Sequence, residues 1–542
     1  MTEIPVPTQL IVSVSGSTSR NIVIQQIDIR VRRRYLPFMR EIDKFLPCFS
    51  ALVRMEIESG RYNILLIVWD TVRADFTTPY QTDINTTPTL ANFAEEGLLF
   101  ENAYSASNWT GTSHGALFSG QYPTQSGVIG VDNQNLPADR STLLEIVHEQ
   151  GYRTFFGASN SHLRSEYGYG RGADTYLNPS VPSVKEGHKH LNQILMDSTV
   201  RASMRQQLFA GRDNQAKYTA RRFLEFIKNK ESATPWFGFL NFLTAHHPYD
   251  PPRPYKRYFD RDLSRPRSNW QDYFGIGEET HDEFSIERLT TLSEKYPVFA
   301  DEFSPIPGEW STIRSWYAGA IRYLDDLTAA LRDRLQVENE WNDTVIIITS
   351  DHGEYFGECG LEKHNFGLDD PVVKIPMVFR IPPSLQNEIQ DDGSPLVSLI
   401  DLYPTICHIA GGEPPAGTTG VDLLSQPLAS DTDRFICSEV AKKPTDAIER
   451  RHEGFTDHPK NQGRQAIRTV DGVIEFVQNG ETHTWGWNSD LSNIDRDMSR
   501  SDLIEDYQES RDIELGSLPE DIGVHPIYGN EQRERLKHLG YL

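Results

Sequence analysis

Cysteine is scarce in this chain. The four in 542 residues, Cys48, Cys359, Cys407 and Cys437, lie too far apart for a disulfide framework or for the paired spacings of a structural zinc site. They are expected as free thiols in a reducing compartment. No stretch approaches the ~18 apolar residues of a membrane span, and no charged segment followed by an apolar one opens the chain as a secretion signal would. A cytoplasmic location is the expectation. Positive charge is also short: 53 Lys and Arg against 77 Asp and Glu give a net charge of −24, which argues against nucleic acid as a partner. Such acidity suits a high-salt cytoplasm and an ordinary acidic soluble protein equally well. No internal repeat is visible. The length exceeds a typical single core, so one large domain and a smaller one are expected.

What is present begins with Asn63 to Asp70. Six apolar residues, Ile64 to Trp69, run without a polar break and end in an aspartate. An uninterrupted β-branched and aliphatic run of this kind predicts a strand buried on both faces, as in a parallel sheet. The pattern returns at Thr344 to Ser350, followed by Asp351-His352-Gly353-Glu354. In open α/β sheets chemistry collects at the carboxyl ends of strands, and here two buried strands each deliver a carboxylate there.

Between and after these runs, strands alternate with helices. Helices are predicted at Pro88 to Glu96, capped by Thr87 and closed by Gly97, at Ser141 to Gln150, at Tyr317 to Val337 and at Leu399 to Ala410. Further strands are predicted at Leu98 to Phe100, Tyr152 to Ala158, Trp236 to Leu243 and Met377 to Ile381. Residues 175–235 read as mostly helical or irregular, and residues 253–310 as a polar, irregular insertion near the site. The fold class is therefore α/β, a mostly parallel central sheet sandwiched by helices. A small antiparallel subdomain follows, marked by Gln465 to Thr469 and Val473 to Val477 around Asp471-Gly472, a strong hairpin turn. Residues 1–54, with the basic cluster Arg30 to Arg34 and an amphipathic segment from Tyr35 to Val53, do not resemble the rest, and Met55 could itself be a translation start. The expected division is 1–54 as an extension, 55–430 as the catalytic domain, and 431–542 as the small subdomain, an acidic tail and a final helix at Glu531 to Leu539.

Thr110 follows a hydroxyl-rich segment and opens a short helix ending at Gly120, so it stands where backbone N–H groups and the helix dipole favour an anion. With Asp70, Asp351 and His352 it makes a set of two carboxylates, a histidine and a hydroxyl. Such a set suits one divalent ion, zinc, manganese or calcium. A threonine oxygen on that ion would lose its proton readily and become a nucleophile. Asn160 and His162 follow a strand end and are candidates to touch substrate.

The runs Asn63 to Asp75, Asn102 to Pro123, His246 to Pro252 and Ser350 to Glu358, in this order, resemble the sulfatase family of the alkaline phosphatase superfamily. The resemblance implies an alkaline phosphatase-like α/β sandwich, a bound divalent metal and hydrolysis or transfer of small-molecule or glycan sulfate or phosphate esters. It places His246 at the family's substrate-side histidine and His364, with Lys363 beside it, near the bound ester. Sulfatases that use formylglycine carry a Cys/Ser-x-Pro-x-Arg motif, which aligns here with Thr110 to His114. Thr110 replaces the convertible residue and His114 the arginine, at a substrate-binding position. The set is more similar to threonine-nucleophile relatives that handle phosphoesters. The expected activity is metal-dependent hydrolysis of a sulfate or phosphate ester with Thr110 as nucleophile and His246 or His364 as proton donor. The alternatives are a phosphotransferase with an alcohol acceptor and a non-catalytic member that binds an anionic glycan.

Overall fold

The computed structural model describes residues 62–486, apart from 131–132, 179–211, 230–233, 260–262, 264–306, 365, 387–394, 425–433, 442–460, 470–471 and 478–481. The chain divides into two compact units, Met1–Gly60 and Arg61–Leu542. The readings made for residues 1–54, Met55, Cys48, Asp471, most of 253–310 and the final helix lie outside the described residues. Cys359, Cys407 and Cys437 are free thiols. Among the described residues, no helix is long and apolar enough to cross a membrane.

The central sheet follows from the two apolar runs. β1 (Asn63–Trp69) alternates its side chains between two hydrophobic cores: Ile64, Leu66 and Val68 enter one, Leu65, Ile67 and Trp69 the other. A strand with apolar neighbours on both faces has no solvent side, which explains the absence of a polar break. Next in the chain come α1 (Pro88–Glu95), β2 (Gly97–Leu99), β3 (Asn102–Tyr104), α2 (Thr110–Ser119), α3 (Leu143–Glu149), β4 (Arg153–Ala158) and β5 (Thr175–Leu177). They are followed by α4 (Ala216–Lys228), β6 (Trp236–Phe242), α5 (Pro307–Val337), β7 (Thr344–Thr349), β8 (Tyr355–Phe356), β9 (Glu362–Lys363) and β10 (Met377–Arg380). Seven strands pair in the order β2-β10-β7-β1-β6-β4-β5. β7, β1, β6, β4 and β5 run parallel, and β10 is antiparallel to both β7 and β2.

Three sequence readings shift. Gly97 does not close α1 in a left-handed conformation. It opens β2, where a Cβ would sit 1.8 Å from Phe379 O, so close backbone approach is what requires glycine. Residues 175–177, read as helical or irregular, add an edge strand to the sheet. α5 starts at Pro307, ahead of the Tyr317 start read from periodicity.

The smaller sheet is an antiparallel meander, β12 (Ile436–Val440), β13 (Arg464–Arg468), β14 (Gly472–Val477) and β15 (Thr482–Gly486), after β11 (Leu396–Ser398) has paired with β3. It belongs to the same compact unit as the central sheet. β12 grips the segment that leads into α2: Glu439 N–H donates to Ala106 O (2.8 Å), Ser438 Oγ to Ser105 O (2.6 Å), and Ser107 Oγ to Glu439 O (2.7 Å).

The ends of β1 and β7 are tied by Ser350. Its hydroxyl accepts from Val72 N–H (2.9 Å) and lies within donating distance of Trp69 O (2.6 Å) and His352 O (2.7 Å). All of this is buried. Ser350→Ala removes the hydrogen bonds of the Ser350 hydroxyl and leaves Val72 N–H with only its 3.2 Å bond to Trp69 O, and it is expected to lower stability by about 0.5–1.5 kcal/mol. Chemical denaturation of the purified variant checks this, and a loss near zero would show that another group takes over the link.

Candidate metal and active site

β1 and β7 are adjacent and in register, with Val68 opposite Thr349, so the residues that follow them meet. Asp70 and Asp351 are fully buried there. The turn after β1 puts Thr71 at φ 63°, a left-handed conformation that a β-branched residue adopts only when its surroundings enforce it. Three groups do so. Thr71 N–H donates to Asp351 Oδ1 (3.1 Å), Tyr317 OH donates to Thr71 O (2.7 Å), and Val72 N–H is held by Ser350. Asp351 Oδ1 also accepts from His352 N–H at 3.0 Å.

Thr110 is the first residue of α2 and is buried. Its hydroxyl lies 3.3 Å from His352 Nε2 and accepts from Asn160 Nδ2 at 3.3 Å. Asn160, at the end of β4, also donates to Asp70 Oδ2 (2.9 Å), and Asn241 in β6 donates to the same oxygen (3.3 Å). His352 Nδ1 donates to Gly353 O at 2.9 Å, which leaves Nε2 with its lone pair towards Thr110. Gly353 has no room for a side chain, since a Cβ would meet Pro371 O at 2.1 Å.

The ligating atoms of Asp70, Asp351 and His352 all lie within 4.8 Å of one another. Asp70 Oδ1 and Asp351 Oδ2 accept no hydrogen bond. Burial, and then the charge of Asp351, pushes the Asp70 carboxyl well above its ordinary range, and burial raises that of Asp351 to about 7. Two buried carboxylates, each with an idle oxygen, fit a divalent cation, which would supply the positive charge that the protein withholds.

The other candidates fall in two places. His162 braces the site from behind: its N–H donates to Asn160 Oδ1 (2.9 Å), its Nδ1 meets Gln134 Oε1 (2.8 Å), and its ring stands edge-on to Trp109 at 4.5 Å. His114 lies under the first turn of α2, with Nδ1 donating to Thr110 O (2.9 Å) and its ring edge-on to Phe239. Burial lowers its pKa to about 3. A neutral ring has no charge to offer an anionic ester, so His114 does not replace the motif's arginine electrostatically.

His246, Lys363 and His364 gather in a second corner, also buried. His246 Nδ1 donates to His247 O (2.7 Å), and His364 Nδ1 meets Glu354 Oε1 (2.9 Å). The His364 ring lies 4.4 Å from His352, 5.2 Å from His246 and 5.8 Å from His247. Burial, and then the neighbouring His364, lowers His246 to about 3, which makes it a poor proton donor near neutral pH. Lys363 falls to about 8, because burial outweighs the pull of Glu354 and Glu362. It holds φ 59° in the two-stranded β8–β9 ribbon.

The sequence reading missed four contributors. Asn241 is the sole side-chain amide in an apolar strand, a signal that was available. His247 read only as His246's neighbour. Glu354 was assigned no role, but it is fully buried with a carboxyl raised by burial to about 7. Arg73 donates to Asp75 (2.6 Å), to Glu358 (2.8 Å) and to Glu354 O (3.1 Å), and so holds the loop after β7 against the turn after β1.

Without a cation, the protein is expected to lose stability as pH rises. The raised folded-state values of Asp351 and Glu354, both about 7, contribute stability that is full below ordinary carboxyl pKa values near 4 and is lost as pH climbs through 7. Melting of chelator-treated protein at pH 5 and pH 8 tests this. The pH 8 sample should melt lower, and zinc or manganese should raise it more than the pH 5 sample. A chelated protein with equal melting at both values counts against the buried-carboxylate account.

The Sulfatase family model matches residues 62–412. The chain is 25% identical over 385 residues to the sulfatase YidJ of Escherichia coli K12, covering 67% of this chain and 71% of the relative. It is 24% identical over 395 residues to human iduronate 2-sulfatase, covering 65% and 70%. In fold it is similar to the phosphonate monoester hydrolase of Agrobacterium radiobacter, with a TM-score of 0.57 at 21% identity over 79% of this chain and 89% of that one. Placed at the carboxyl ends of the strands, and with its match spanning the whole central sheet, the chain belongs to the sulfatase family and is an ester hydrolase.

Proposed function

We propose that this sulfatase-family hydrolase is a metal-dependent enzyme with Thr110 as an unmodified nucleophile, and that it favours phosphoesters over sulfate esters. The observation that carries the reading is the position of the Thr110 hydroxyl. It opens α2, faces His352 Nε2 and Asn160 Nδ2 at 3.3 Å each, and lies beside the Asp70–Asp351 pair. Asp70, Asp351, His352 and Thr110 would hold the ion. When bound, the ion would acidify the Thr110 hydroxyl and withdraw charge from the ester. The imidazole in the set favours zinc or manganese over calcium, which prefers oxygen ligands.

Asn160 and Asn241 orient the Asp70 carboxylate, and Asn160 also fixes the direction from which Thr110 approaches. Thr110 Oγ1, its proton given up to solvent, forms the bond to phosphorus or sulfur as the bond to the organic oxygen breaks. The backbone N–H groups of the first turn of α2 stabilise the negative charge of the transferring group. Lys363, near pKa 8, is matched to giving a proton to the departing oxygen. His246, lowered to about 3, is not. Water then cleaves the threonyl ester and restores the hydroxyl. Threonine at this position, in place of the convertible cysteine or serine, supports phosphoesters as the better substrates.

Thr110→Ala should reduce turnover by on the order of 10³-fold or more with most of the metal retained by Asp70, Asp351 and His352, and Thr110→Ser should keep part of the rate. Asp351→Asn should lower metal content and activity together. The measurement is steady-state turnover of nitrophenyl phosphate mono- and diesters, a phosphonate ester and a sulfate ester, with metal analysis in parallel. A Thr110→Ala enzyme near the wild-type rate would remove Thr110 as nucleophile, and a strong wild-type preference for the sulfate ester would overturn the phosphoester reading.

A further inference from the structure

We propose that Glu439 is a positioning residue for the Thr110 hydroxyl: from β12 it holds the entry and the exit of α2 together, and so fixes where the first residue of that helix stands. The proposal rests on the reading of Thr110 as the attacking group.

α2 does not fix its own start. Trp109, the residue before it, makes no side-chain cap hydrogen bond, so the place of the first turn is set by what holds the chain on either side. At the entry, the Glu439 main chain does this twice. Its N–H donates to Ala106 O (2.8 Å) and its carbonyl accepts from Ser107 Oγ (2.7 Å). At the exit, the Glu439 carboxylate accepts from Thr124 N–H (2.8 Å) and from Thr124 Oγ1 (3.0 Å), in the short turn Pro123–Ser126 that follows α2. Gln465, its direct partner in β13, donates to the same carboxylate at 2.9 Å and anchors it to the smaller sheet.

The held segment also meets the turn that carries Asp351. Ser105 Oγ lies against Asp351 O and 3.0 Å from Ser113 Oγ, near the start of α2, and Ser113 Oγ is within donating distance of Ser107 O (3.1 Å). These serines and Glu439 are buried. A shift of Ser107 away from Glu439 is therefore passed to α2 and to its distance from Asp351. Burial pushes the Glu439 carboxyl above its ordinary range, and the hydrogen bonds from Thr124 and Gln465 pull it back. A carboxyl in such a place costs stability unless it is hydrogen-bonded, and an apolar residue would fill the space without that cost. What the carboxyl adds is direction, since its hydrogen bonds define where Thr124 and β13 must lie.

The test is a mutant cycle on the full-length, metal-loaded protein, assayed well below its melting temperature with the nitrophenyl ester that wild type turns over fastest. Glu439→Ala should lower kcat by about 10- to 100-fold, the scale of a small misplacement of a reacting group, with KM and metal content as in wild type. Glu439→Gln can keep the contacts to Thr124 and should stay near the wild-type kcat. Thr124→Val removes only the hydroxyl contact and should fall between them. In a Thr110→Ala background, Glu439→Ala should cost no further turnover, because the residual rate no longer uses the hydroxyl. A wild-type kcat in Glu439→Ala overturns the proposal. So does a further loss of equal size in the Thr110→Ala background, which marks general damage, and so does Glu439→Gln as slow as Glu439→Ala, which makes charge the cause. Should Glu439→Ala fail to fold, Thr124→Val decides: a lower kcat at unchanged KM supports the proposal and a wild-type kcat overturns it. Thr110→Ala near the wild-type rate removes the nucleophile reading and this proposal with it, whereas a slow Thr110→Ala beside a wild-type-like Glu439→Ala removes the proposal alone.

Discussion

Two carboxyl groups have to be held side by side in a dry interior. Asp70 and Asp351 arrive there because β1 and β7 are neighbours in register and both strands are apolar up to their last residue. The surroundings are arranged to tolerate the pair. Asn160 and Asn241 donate to one carboxylate, the backbone of Thr71 and His352 to the other. Each carboxylate still keeps an oxygen that no protein group satisfies. Hydrogen bonds reduce the repulsion but do not cancel it, since buried like charges require a countercharge to be stable. The strained turn at Thr71 and the Ser350 link serve to keep the pair aligned.

The parts of the site that the sequence disclosed are those where local chemistry and global position coincide. An apolar run that stops at an aspartate marks both a buried strand and its reactive end, and that pattern identified Asp70 and Asp351. Thr110 was readable because a hydroxyl at a helix start has its own signal, and Gly120, at φ 66°, closes that helix as read. Asn241 escaped because a strand reading treats a polar residue as noise, although its amide reaches the Asp70 carboxylate through β6. Glu354 escaped because nothing local distinguishes a solvated glutamate from one enclosed by His364 and the site loop. The edge strand β5 exists only by pairing with β4, so three residues of sequence carried no record of it.

The smaller sheet changes how the chain's two regions are understood. The change in composition after about residue 431 suggested a separate subdomain. β12 instead holds Ser105 to Ser107 through side-chain and main-chain hydrogen bonds, and that segment leads directly to Thr110. A region that supplies none of the candidate ligands therefore still bears on where the Thr110 hydroxyl stands. Arg73 acts similarly on the opposite side, joining the loops after the two carboxylate strands with a buried guanidinium.

The pairing of β1 with β7 has a consequence for how this protein comes into being. Thr71 and Asp351, which share a hydrogen bond, are 280 residues apart, and closing so long a loop is an entropic cost met only once most of the intervening chain is ordered. During synthesis the first carboxylate emerges long before its companion, so it spends that interval with no second ligand to help hold an ion. Capture of a cation between these two carboxylates would therefore be a late event in the life of the chain, and holding it a property of the finished molecule.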